Sequence, residues 1–165
     1  MATERRLAMR ALAQWRAGNG GPVTGHEAHS LLVDDPAGAP RLVAVGSALA
    51  GAFQLASGQL LRRAPGLADE LLSACEIICL HPAPLPFEAI VAAPALGDVL
   101  VRGVALPLAA GSDPAAQVQI ICNWRQLLSR SAAARLRREL GQALQQVRAG
   151  APLADPFAPT LPHGK

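Results

Sequence analysis

At 165 residues the chain has the length of one domain and can bury a core without disulfide or metal staples. Its composition is globular, 51% hydrophobic and 16% charged, although much of the apolar content is alanine and the aromatics are two Trp, three Phe and no Tyr. Three cysteines without framework spacing exclude a disulfide scaffold and favour reduced thiols in a cytoplasm, and no charged segment followed by an apolar run opens the chain, so no secretory signal is expected.

The net charge of +3 is unevenly spread. Residues 1–122 hold eight Arg against ten acids, a net of −2, whereas residues 123–150 hold six Arg against Glu139, a net of +5. Asp155 and Lys165 balance in the remainder. The basicity therefore belongs to one segment.

In chain order, TERRLAMRALAQWRA predicts an amphipathic helix from Thr3 to Ala17, with Thr3 as N-cap and Leu7, Ala11, Leu12 and Trp15 on one side. Gly18-Asn19-Gly20-Gly21-Pro22 ends it. SLLVDDPAGAPRLVAV predicts two short strands around the turn Asp35-Pro36-Ala37-Gly38.

Between Arg41 and Arg62 lie twenty uncharged residues, long enough to cross a bilayer as a helix. Yet the run is mostly Ala, Gly and Ser, and it contains Gln54 and Gln59, so its insertion energy is weak. A division is favoured: a strand Arg41–Val45, a sharp exit at Gly46, a short helix Ala48–Phe53 capped by Ser47, and a turn ending at Gly58. No membrane span is expected.

GLADELLSACEIICL predicts a helix over Gly66–Leu80 with Leu67, Leu71, Cys75 and Ile78 on one face, stopped by HPAPLP. Three β-rich runs follow, PFEAIVAAP, GDVLVRGVALPLAA and AAQVQIICNW, separated by Ala95-Leu96-Gly97-Asp98 and Gly111-Ser112-Asp113-Pro114. A last helix is predicted over about Trp124–Arg148, with Leu136, Leu140, Leu144 and Val147 in a stripe, and a Pro/Ala-rich tail from Gly150 is expected to be disordered. The order predicts an α+β fold with one antiparallel sheet.

Catalytic motifs are not apparent. GNGGPVTG fails as a dinucleotide loop because a helix precedes it and Pro22 removes an N–H, and VGSALAG is no nucleophile elbow because Ser47 directly follows Gly46. Lys165 is the only lysine. Cys75, Cys79 and His81 share a helix end but make an incomplete ligand set, and core packing accounts for the cysteines, so no metal or cofactor is assigned. His26 and His29 fall in a polar loop and are expected to be solvated. Three roles are open to the basic helix: a surface packed on the domain or a twin, a dimerisation or signalling helix, or contacts with phosphates of nucleic acid or anionic lipid. Nucleic acid is disfavoured, because neither a helix-turn-helix nor an aromatic stacking platform is present.

Three segments, QWRAGNGGP, RLVAVGSALAGAF and VRGVALPLAAGSDPAAQVQIICNW, together resemble the Per-Arnt-Sim (PAS) domain, especially the small PAS proteins of alphaproteobacteria. The likeness covers roughly residues 12–130 by order of elements. Departures are FQLASG, one residue short and lacking an acid, and Gln14 in place of a tyrosine. The resemblance implies a five-stranded antiparallel sheet with small helices on one face enclosing an apolar pocket, flanked here by an N-terminal helix (1–22) and a basic C-terminal helix (124–149), with the domain at 23–123 and a tail at 150–165. It further implies a non-enzymatic, cytoplasmic sensor or adaptor acting through a small apolar ligand, a signalling protein partner or a homodimer. A small nucleic-acid-associated regulator using the Arg-rich helix is the alternative. The pocket is expected between the sheet and Gly66–Leu80, walled by Phe53, Leu71, Cys75, Val101, Leu106 and Ile120. The partner or dimer face is expected at Leu7, Ala11, Leu12 and Trp15, with Leu136, Leu140 and Leu144.

Overall fold

The computed structural model describes residues 2–63, 66–110, 112–128 and 130–148. The chain separates into two units that meet in sequence at Leu127 and Leu128. The first holds helix α1 (Ala2–Ala17), strands β1 (Ser30–Asp34) and β2 (Arg41–Val45), helices α2 (Ser47–Phe53) and α3 (Ala68–Leu80), and strands β3 (Leu85–Ala93), β4 (Gly97–Ala110) and β5 (Asp113–Gln126). The second holds helix α4 (Arg130–Arg148). The fold is α+β, and all strand pairs are antiparallel in one open sheet of order β2-β1-β5-β4-β3.

Local chemistry sets the turns. At the β1–β2 turn the Asp35 carboxylate accepts the N–H groups of Gly38 (3.1 Å) and Ala39 (2.8 Å), which holds the chain reversal that Pro36 begins. At the β3–β4 turn Gly97 takes φ +74° and Leu96 N–H donates to Ala93 O at 3.0 Å.

Pleat alternation gives the sheet two buried faces. On the inner face, Leu31, Val33, Leu42, Val99, Val101, Val118, Ile120 and Cys122 pack against Leu49, Phe53, Leu71, Cys75 and Ile78 from α2 and α3. On the outer face, Val104, Leu106 and Ile121 pack against Ala11 of α1 and Val23 of the loop after it. Two glycines permit close approaches. A Cβ at Gly46 would fall 2.2 Å from Glu27 O and 2.4 Å from Ala28 O, so the exit from β2 passes directly beneath the 3-10 turn Glu27–His29. A Cβ at Gly103 would fall 2.6 Å from Cys122 Cβ and 2.8 Å from the Phe87 ring.

Predicted boundaries move at all four helices, and α3 starts at Ala68, two residues after the expected Gly66. α1 starts at Ala2, one residue ahead of the expected Thr3 cap. Gly46 is the N-cap of α2, with its carbonyl accepting Ala50 N–H at 2.9 Å, and Ser47 is the first helical residue. The expected helix from Trp124 begins only at Arg130, because β5 runs on to Gln126, with Trp124 opposite Val101 and Gln126 opposite Val99. Strand pairing over the full length of β4 overrides the helical pattern at those residues. The expected disorder from Gly150 concerns residues outside those described. Among the described residues, no helix is long and apolar enough to cross a membrane.

Candidate functional surfaces

Five of the six expected pocket residues come together on the inner face. Phe53, Leu71, Cys75, Val101 and Ile120 are each fully buried in one contiguous core. The sixth, Leu106, is corrected: it occupies the opposite face of β4 and packs towards α1, because even-numbered positions of this strand point away from α3. None of the five lines the groove beside β3 described below. The inner face is thus a packed core at the residues where a ligand space was expected.

Burial governs the thiols on this face. It pushes Cys75 and Cys122 up to about 12, with the neighbouring Cys79 and Glu76 adding to the effect at Cys75. Cys79, half-buried, is also raised, again chiefly by burial. Protonated thiols are poor nucleophiles and poor metal ligands. Among the described residues, no three His, Cys, Asp or Glu side chains cluster as a metal site.

The core ends at an aromatic group beside the end of β5. The Trp124 ring meets Phe53 edge-on, with centroids 5.2 Å apart, and His29 at 5.5 Å. The expectation of a solvated His29 is therefore corrected: the ring is half-buried and its Nδ1 is buried without a hydrogen-bond partner among the described residues. His26 is also only half-exposed.

The outer face accounts for the N-terminal candidates. Ala11 is fully buried against this chain's own sheet, and Leu7, Leu12 and Trp15 pack around it. Trp15 Nε1 donates to Pro107 O at 3.0 Å. Ala11 is covered by the chain's own sheet and Trp15 uses its N–H within the chain, while Leu7, Leu12 and Trp15 remain half-buried. Gln119, buried at 8% exposure, fixes the segment after α1. Its Oε1 accepts Val23 N–H at 2.8 Å, and its Nε2 donates to Val23 O at 2.8 Å and to Ser30 Oγ at 3.2 Å. One side chain thereby pairs a loop residue as a neighbouring strand would.

The two sheet edges differ. Along β2, Leu42 N–H donates to Gln59 O (2.9 Å) and Leu42 O accepts Gly58 N–H (2.6 Å), so the segment after α2 covers that edge. β3 pairs with β4 through all nine residues, and Gly66 lies against its far end, where a Cβ would fall 2.4 Å from Ala92 O. This edge is apolar apart from Glu88, which is ion-paired with Arg102 of the adjacent strand, and Ile90 on it is 66% exposed. Beside it lies an open groove of about 330 Å³ lined by Ala8, Met9, Pro86, Phe87, Glu88, Arg102 and Gly103, with Met9 64% exposed.

The remaining partner candidates are on α4. Leu136, Leu140, Leu144 and Val147 are all exposed. Arg135 and Glu139 form an exposed i,i+4 pair at 3.7 Å.

No family model matches the chain, and no curated protein matches it.

Sequence reasoning missed Gln119, Met9 and Ile90. Gln119 sits in a strand that alternates unremarkably, and its role follows from a loop 96 residues away. Ile90 is a generic strand residue until the topology places β3 at an edge.

Proposed function

We propose that the chain is a cytoplasmic PAS-type adaptor in signalling that works by contact with other proteins, without catalysis. The α+β architecture supports the resemblance: a five-stranded antiparallel sheet carries α2 and α3 on one face, in the order the resemblance implies. One contrast carries the choice of contact over ligand. The residues expected to wall a pocket are packed at zero exposure, whereas β3, at the sheet edge, exposes Ile90 beside the Met9 groove. A sheet edge can add an extended segment through its backbone groups, and an adjacent groove can accept that segment's side chains.

Partner capture from the native host tests the reading. The wild-type chain is expected to retain a protein partner, and Ile90→Lys, which charges the edge without touching the core, is expected to lose it while melting at the wild-type temperature. Equal retention by both proteins, or a small molecule held inside the core, would overturn the reading.

A further inference from the structure

We propose that α4 binds an anionic membrane surface, lying in the plane of the headgroups with its leucine stripe towards the acyl chains. The inference is independent of the sheet-edge reading, since it concerns a different unit of the chain.

Four observations support it. First, Leu136, Leu140, Leu144 and Val147 are 46%, 56%, 61% and 55% exposed, so the apolar side of this 19-residue helix is open to a ligand surface. Second, the charged side chains of the described helix are net positive. Arg135, Arg137, Arg138 and Arg148 stand against Glu139, and Glu139 is engaged by Arg135. Third, the charges are suitably placed. With about 100° between successive residues, Arg137 and Arg148 fall along one border of the leucine stripe, where long side chains reach headgroup phosphates while their stems lie on the apolar layer. Arg135 and Arg138 fall on the far side and add long-range attraction to an anionic leaflet.

Fourth, the stripe fits a flat surface better than a twin helix. A coiled-coil seam through Leu136 and Leu140 would be completed by Ala133, Ala143 and Val147, leaving Leu144 outside it. The described 19 residues also span fewer than three heptads, short of the sustained repeat a supercoil needs. A broad stripe with a helical rather than a heptad period suits a planar apolar layer.

The test uses the full chain in flotation assays with two vesicle types, phosphatidylcholine, and phosphatidylcholine mixed with phosphatidylglycerol. Binding to the anionic vesicles and not to the neutral ones is expected, weakened by salt through screening. Leu140→Asp with Leu144→Asp should abolish it. Arg137→Gln with Arg148→Gln, which keeps the stripe intact, should weaken it by roughly tenfold or more. An unchanged melting transition in both double variants shows that the sheet unit is intact. Three results would overturn the proposal: no binding to anionic vesicles; a wild-type oligomer that the leucine variant turns into a monomer in the absence of lipid; or retention on duplex DNA that survives the leucine changes and falls with the arginine changes.

Discussion

Phe53 illustrates how single residues hold this domain. Its ring is fully buried between α2 and the inner sheet face and meets Trp124 edge-on. Phe53→Ala is expected to cost about 3–5 kcal/mol in urea unfolding; a change near zero would contradict the packing. Gln119 acts differently, because what matters is the partner it satisfies. Gln119→Leu leaves the buried Val23 N–H and C=O without partners and should cost about 1–3 kcal/mol, with faster amide exchange at Val23. The thiols set a pH limit. Cys75 and Cys122 have values near 12 in the folded chain against an ordinary 9.0, so above pH 9 the unfolded chain loses protons that the folded chain keeps. Stability should be independent of these groups below about pH 9 and fall between there and about 12. A stability curve that rose across that window would contradict the assignment. Alkylation of the native protein should label Cys79 first.

At the scale of elements, the periodicities were legible where one force dominated. Arg41–Val45, with Gly46 and Ser47 after it, divided correctly into strand and helix because a β-branched run meets a glycine. Gly66–Leu80 placed α3 because its apolar residues recur at helical spacing. The exit from β5 was not legible, since Trp124, Arg125 and Gln126 have no pattern that opposes a helix and are held as strand by β4. α1 was legible as a helix, and the amphipathic face that suits a partner also packs on its own sheet. Leu106 falls on the other face of β4, and apolar character does not separate the faces because both are buried. The sheet edge leads to a prediction of its own. Ile90→Lys should leave thermal stability within about 0.5 kcal/mol of wild type, as for an exposed site, because a 66% exposed side chain contributes little packing. A large loss would place Ile90 inside an interface or core and undo the account of β3 as an open edge.

At the scale of the whole molecule, the described residues combine a packed interior with exposed apolar residues on β3 and on α4. The closed part is the sheet with apolar layers on both faces, one sealed by α2 and α3 and the other by α1. The open parts are the β3 edge with its groove and the leucine stripe of α4. Under the proposed reading the chain responds through what docks on it, and the residues expected to wall a pocket are buried. Native mass spectrometry of the chain purified from its own host tests that claim most directly. The account predicts the bare polypeptide mass for the chain released by gentle activation, together with a complex that contains a second protein and disappears in Ile90→Lys. A small molecule that stays with the chain after the protein partner is removed, and that is lost on substitution of Cys75 by Trp, would contradict it.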